Sequence, residues 1–276
     1  MKPVNIPREK GENRGVKTFS LPIQSSGGHT AVLECYVLDM SERIRWKDRP
    51  AVILCPGGAY RFTNDRESEP LACAEGYHVF SLRYSTEKGI YPAALEQLAR
   101  TVRLIRQNAG EWHVRKDAIV LAGFSAGGHL AAEYACKWGR PALSAAAEAE
   151  REELRPNALV LGYPVITAGA AAHEESIHNL LGAQDTPKMR RSVSLETQVS
   201  GCVPPVFLWH TATDEMVNAE NSLLFASALA REKIPYELHI YGSGVHGVSL
   251  GTRATVGEEK HVSHGCAGWF AQAARF

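Results

Sequence analysis

Residues 16–23 and 31–39 alternate apolar and polar positions on either side of Ser25-Ser26-Gly27-Gly28, which predicts an antiparallel hairpin at the edge of a larger sheet. Beyond them the pattern changes to short apolar runs at 51–55, 77–82, 118–122, 158–161, 206–209 and 236–241, separated mostly by helical spacing. Strands buried on both faces read this way. Their alternation with helices predicts a mainly parallel α/β sheet with helices on both faces. Leu95, Leu98, Val102 and Ile105 recur at three and four residues behind Pro92, which suits a first helical turn. Leu130, Tyr134 and Trp138 form a second stripe, and Leu223, Leu224, Leu229 and Ala230 a third that Asn218 caps. Residues 144–154 carry charge on most faces, the pattern of a solvated helix without a functional role. From 164 to 204 the alternation lapses for longer than a compact domain leaves structureless, which predicts a helical insertion or lid within a single domain spanning 1–276.

Composition narrows the function. The 276 residues include 30 Lys plus Arg against 30 Asp plus Glu, so the formal net charge is zero and no long-range field gathers nucleic acid or anionic lipid. The N-terminal stretch is polar, without the apolar run of a signal peptide, and nowhere do 18 apolar residues follow one another. A cytoplasmic protein without nucleic-acid or membrane partners is expected, its oligomeric state left open. Cys35, Cys55, Cys73, Cys136, Cys202 and Cys266 are scattered without a C-x-x-C pair, which predicts buried free thiols.

Gly123-Phe124-Ser125-Ala126-Gly127 is a G-x-S-x-G that follows a predicted strand and opens a predicted helix, the setting of a nucleophile elbow. Such a turn needs small flanking residues, projects the Ser125 hydroxyl above the strand ends, and places helix N-terminal amides beside it. A serine nucleophile requires a base and an acid to orient that base, in chain order Ser, acid, His. Asp214 follows the 206–209 strand and His246 follows the 236–241 strand, both past strand C-terminal ends where open α/β sheets keep their ligands. Asp214 is preferred over its neighbour Glu215 because the shorter side chain holds an imidazole more stiffly. After the 51–55 strand, Pro56-Gly57-Gly58-Ala59-Tyr60 provides a loop whose Gly58 or Ala59 amide, together with that of Ala126, can form an oxyanion hole. Tyr60 and Tyr163, next to strand ends, are expected to offer flat faces to a sugar or aromatic alcohol.

Four spaced motifs, Pro56-Gly-Gly-Ala-Tyr60, Gly123-Phe-Ser-Ala-Gly-Gly-His-Leu130, Phe207-Leu-Trp-His-Thr-Ala-Thr-Asp214 and Val245-His-Gly-Val-Ser-Leu250, together resemble the α/β-hydrolase esterases related to acetylxylan and feruloyl esterases. The resemblance runs from about residue 51 to the C-terminus. It implies an α/β-hydrolase fold, Ser125, Asp214 and His246 as catalytic triad, and Gly58, Ala59 and Ala126 as oxyanion donors. The related hormone-sensitive-lipase type carries His-Gly-Gly-Gly where this chain has Pro56-Gly57-Gly58-Ala59, a departure that favours the sugar-esterase branch and keeps both Gly58 and Ala59 as candidates. A cofactor-free serine esterase acting on short-chain esters, acetylated sugars foremost, is the expected function. Amide cleavage as an arylformamidase or small peptidase, and a non-enzymatic ligand receptor, are the alternatives.

Other polar clusters are weaker. His173-Glu174-Glu175-Ser176-Ile177-His178 brushes past the zinc-protease motif, but its histidines are five apart and fall about 140° apart on a helix. His261 and His264 have Cys266 nearby but no fourth ligand, and no nucleotide-binding glycine motif occurs, so neither metal nor cofactor is expected. His129 reads as a packing residue and His210 as a support for the acid loop. Arg61, Asp65 and Glu67 are read as contacts to a polar substrate or as supports of the oxyanion loop.

Overall fold

The computed structural model describes residues 15–39, 45–65, 76–263 and 265–276, so Glu67, Cys73 and His264 lie outside the described residues. Eight strands form one sheet: β1 (Val16–Gln24), β2 (Thr30–Leu38), β3 (Arg49–Cys55), β4 (His78–Arg83), β5 (Val114–Phe124), β6 (Ala158–Gly162), β7 (Val206–Thr211) and β8 (Tyr236–Tyr241). Their order is β1-β2-β4-β3-β5-β6-β7-β8. The predicted hairpin sits at one edge, with β2 antiparallel to both β1 and β4, and every other pairing is parallel. The chain moves outward from β3 to β4 and then crosses back to β5 on the other side of β3. That reversal opens a crevice at the C-terminal ends of β3 and β5.

The helices are α1 (Ala93–Gln107), α2 (Ala109–Trp112), α3 (Ala126–Lys137), α4 (Pro141–Ala147), α5 (Glu174–Leu181), α6 (Pro187–Val193), α7 (Glu220–Arg231) and α8 (Trp269–Ala273). Alternate strand residues feed opposite faces, as the pleat requires. Ile53, Leu121, Leu161 and Leu208 join the layer containing Leu98 of α1 and Leu130 of α3, while Leu54, Ala122, Phe207 and Trp209 pack with Trp269 of α8. Among the described cysteines all are free, with Cys202 half-buried and the other four buried. Among the described residues no helix is long and apolar enough to cross a membrane.

Four helix expectations need correction. Pro92 stands just before α1 rather than in its first turn. The charged stretch 144–154 is not one helix: α4 ends at Glu148 in the left-handed region, φ 52°, and a separate 3-10 turn follows at Arg151–Leu154. Across the interface, α1 arginines take up two carbonyls that a continued helix would have bonded internally: Arg100 donates to Ala146 O at 2.9 Å and Arg103 to Ala147 O at 2.5 Å. On α7 the buried face is Asn221, Ser222, Phe225, Ala226, Ala228 and Leu229, and Leu223 and Ala230 point outward. Polar Asn221 and Ser222 on that face disguise its apolar stripe. Nor does Asn218 hold the N-cap position, which falls on Ala219; its side chain instead closes the turn just before the helix, accepting from the Glu220 amide at 2.8 Å.

A charged cluster locks α3, the elbow helix, to its surroundings. Lys137 Nζ lies 2.5 Å from Glu133 Oε1 and donates to Ser192 O at 2.9 Å, while Tyr91 OH donates to Glu133 at 2.8 Å. Burial by itself raises the Glu133 carboxyl, but Lys137, His129 and the Tyr91 hydroxyl together hold the group below its usual range. Both side chains are almost fully buried. Removing one partner of such a pair strands the other, at a cost of about 3–5 kcal/mol. Lys137→Met is therefore expected to lower Tm by roughly 6 °C or more in thermal unfolding. An unchanged Tm would show that Glu133 is satisfied without its lysine.

Candidate active site

The elbow is built by close backbone contact. A Cβ on Gly123 would collide with Gly127 O, and one on Gly127 with the carbonyls of Cys55 and Pro56, so neither position admits a side chain. Ser125 sits at φ 53°, ψ −121° between them. Its amide donates to Gly162 O at 3.1 Å and its carbonyl accepts from His129 and Val165, which pins the turn from both sides.

Ser125, Asp214 and His246, far apart in sequence, converge here. His246 Nε2 lies 2.8 Å from Ser125 Oγ and His246 Nδ1 lies 2.7 Å from Asp214 Oδ2. Exposed Glu215 is not in this chain of contacts. Asp214 Oδ1 accepts from the amides of Met216 and Val217 at 3.0 and 2.9 Å, and His210 Nε2 stands 3.3 Å from Oδ2. Burial alone would raise the Asp214 carboxyl, but hydrogen bonds from His210, His246 and the Val217 amide hold it far below its usual range. It is therefore a carboxylate wherever the protein is folded near neutral pH, able to hold His246 in one tautomer with the proton on Nδ1. The base and acid loops are also fastened to each other: Thr211 and Thr213 hydroxyls donate to Gly244 O at 2.9 and 3.1 Å.

The loop after β3 is held from behind. Gly57 O accepts from Asn64, Gly58 O from Arg61 and Phe62, and Ala59 O from Asn179 Nδ2 at 2.9 Å. In a trans peptide the N–H points opposite the carbonyl. Fixing the carbonyls of Gly57 and Gly58 therefore aims the amides of Gly58 and Ala59 the other way. Among the described residues neither amide, nor that of Ala126, donates to a protein acceptor. Gly57 packs against Ser125, whose Cβ would lie 3.2 Å from a Cβ placed on Gly57. Free donors thus stand beside the serine hydroxyl.

The two tyrosines expected to face a substrate are turned inward. Tyr60 is 3% exposed and its hydroxyl is 2.9 Å from His129 Nδ1, while His129 Nε2 is 2.9 Å from Val193 O. Tyr163 is 1% exposed, its hydroxyl accepts from the Ser249 amide at 3.2 Å, and its ring meets the His246 ring edge-on at 5.0 Å between centroids. Buried phenols need partners, and the partners here are structural. Both support the site rather than line it.

Residues at the mouth went unremarked or misread in the sequence. Phe62, Met216 and Val245 are exposed within a few residues of Gly58, Asp214 and His246. Arg61 pairs with Glu175 of α5 at 3.3 Å, a bridge exposed on both sides and hence worth at most about 1 kcal/mol. His173, which the sequence offered only as half of a failed zinc motif, stands at the N-terminus of α5, its Nδ1 2.8 Å from Ser176 Oγ. Its partner in that motif, His178, contacts Lys88 instead. His261 lies in a single 3-10 turn, and among the described residues no three His, Cys, Asp or Glu side chains are grouped to hold a metal.

Comparison with known proteins places these features in context. The BD-FAE family profile matches residues 38–229. The chain is 36% identical over 210 residues to endo-1,4-beta-xylanase B of Butyrivibrio fibrisolvens, a match covering 73% of this chain and 33% of that protein. It is 28% identical over 211 residues to the acetylxylan esterase of Xylanibacter ruminicola, covering 73% of this chain and 42% of that one. The chain thus spans well under half the length of these two relatives. The crystal structure of the carboxylesterase Cest-2923 from Lactobacillus plantarum superposes with a TM-score of 0.82 at 31% identity, over 94% of this chain and 95% of that one.

Proposed function

The chain belongs to the BD-FAE family and has the α/β-hydrolase fold, and on that premise we propose that it is a serine carboxylesterase cleaving acetyl esters of carbohydrates. The observation that carries this reading is His246 bridging Ser125 and Asp214 at 2.8 and 2.7 Å beside unpaired amides. Ser125 Oγ attacks the ester carbonyl carbon as its proton passes to His246 Nε2, and the carbonyl oxygen, now an anion, is received by the amides of Ala126 and of Gly58 or Ala59. The tetrahedral adduct collapses, and the leaving alkoxide takes the proton from His246. Water then gives a proton to His246, attacks the acetyl-serine through the same oxyanion geometry, and releases acetate as Ser125 recovers its proton. Asp214 stays ionised throughout and stabilises the imidazolium.

One feature supports a short acyl group on a sugar. The segment that approaches the oxyanion loop carries His173, Glu174 and Glu175, polar residues that do not shelter an alkyl tail. The names of the xylanase and the acetylxylan esterase it resembles supply the sugar. The expected order of kcat/KM is p-nitrophenyl acetate above butyrate above octanoate, with cleavage of acetylated xylooligosaccharides. A maximum at octanoate would refute the short-acyl claim, and cleavage of formylkynurenine without any sugar ester would move the assignment to arylformamidase.

A further inference from the structure

Residues 171–179 form a strap tied at both ends to the candidate catalytic loops. On one side Asn221, in the helix that follows the Asp214 loop, donates from Nδ2 to Ala171 O at 2.9 Å. Its Oδ1 accepts from the amides of Ile166 and Thr167 at 2.8 and 3.0 Å. On the other side Asn179 Nδ2 holds Ala59 O at 2.9 Å and Glu175 pairs with Arg61, both on the oxyanion loop. The segment thus runs from the helix that follows the Asp214 loop to the oxyanion loop. His173 stands near the end held by Asn221, half-buried.

The protonation of His173 follows from its neighbours. Ser176 is fully buried, and its hydroxyl proton needs an acceptor. His173 Nδ1, at 2.8 Å, is the partner present, so Oγ–H donates to Nδ1 and the ring proton sits on Nε2. Burial, and after it the charge of nearby His246, keep this imidazole below its usual range and hence neutral near pH 7, with Glu175 and Asp214 acting in the opposite direction. Among the described residues the Nε2–H has no acceptor. A neutral N–H donor therefore stands unspent at the mouth of the site.

In ester cleavage the leaving oxygen is protonated by His246 Nε2, so the alcohol half of the substrate lies on the His246 side of Ser125. His173 stands near enough to His246 and Asp214 for their charges to act on its ring. We propose that His173 Nε2–H donates a hydrogen bond to a ring hydroxyl neighbouring the scissile ester, which makes the 171–179 strap the element that selects a polyhydroxylated alcohol. The inference rests on the esterase reading above and names the residue that recognises its alcohol.

The test compares phenyl acetate, whose leaving group has no hydroxyl, with an acetylated xylooligosaccharide. His173→Phe keeps a ring and removes the donor, and His173→Gln keeps an N–H donor of similar reach. Loss of one hydrogen bond to substrate is expected to raise KM for the sugar ester roughly 3- to 10-fold in His173→Phe, with kcat changed less than about twofold. Phenyl acetate kcat/KM should stay within about twofold of wild type, and His173→Gln should recover most of the sugar-ester loss. If His173→Phe proves misfolded by its Tm, His173→Leu is read in its place. Equal losses on both substrates, or no loss on either, would overturn the assignment. Wild-type cleavage of phenyl acetate without any sugar ester would remove the proposal and leave the esterase standing, whereas inactivity on both would remove the esterase reading itself.

Discussion

Ser125→Ala is expected to lower kcat for p-nitrophenyl acetate by roughly 10⁴- to 10⁶-fold while leaving Tm within a degree or two of wild type. The activity loss follows from the geometry: His246 Nε2 lies 2.8 Å from the Ser125 hydroxyl, the group whose proton it takes to generate the nucleophile. Without Oγ no acyl-enzyme forms, and what survives is the contribution of the oxyanion amides and of binding to direct attack by water. Stability is spared because the hydroxyl packs in no apolar layer, and alanine keeps the Cβ and therefore the same backbone conformation. An organophosphate should label the wild type once, at Ser125, and the variant not at all. Near-wild-type turnover by Ser125→Ala would end the serine-hydrolase reading.

Asp214→Asn is expected to lower kcat by about 10³- to 10⁴-fold. Asp214 Oδ2 accepts from His246 Nδ1 at 2.7 Å, and an amide presenting its NH₂ there would favour the tautomer with the proton on Nε2, which cannot deprotonate Ser125. His210 Nε2, 3.3 Å from the same oxygen, adds to the demand for an acceptor at that position. Glu215→Gln, at an exposed site, should change kcat by less than about twofold. Reversal of these two effects would make Glu215 the acid and require a different loop conformation in solution.

The chemistry of this site is legible in the sequence because each group sits in a short local motif at the end of an apolar run. A buried strand that stops at Gly123-Phe-Ser-Ala-Gly127 has little choice but a tight turn, and the runs ahead of Asp214 and His246 place both on the same edge of the sheet. Topology is legible for the same reason: the 16–23 and 31–39 alternation marks a half-exposed hairpin, and β1 and β2 form it. Tyr60 and Tyr163 show where this reasoning stops. Position beside a strand end says nothing about which way a ring points, and here the Tyr60 hydroxyl pairs with His129 and the Tyr163 hydroxyl with the Ser249 amide. His173 fails for the opposite reason. The strap that carries it is held by Asn221 at Ala171 and by Arg61 at Glu175, both distant in sequence, so no local pattern marks it. The break at Glu148 is likewise met by Arg100 and Arg103, more than 40 positions earlier.

The backbone of Ser125 has one more implication. At φ 53° a residue with a Cβ occupies a region that glycine enters freely and others enter at a cost of about 1–3 kcal/mol. The scaffold around it, from the Gly162 carbonyl to the close pair Gly123 and Gly127, would accept glycine at this position more comfortably than serine. Inactivation is thus the downhill direction for this fold: a single codon change to glycine would relieve the turn and silence the chemistry together. Selection for stability alone would erode the proposed nucleophile, and only a demand for the proposed turnover opposes that drift.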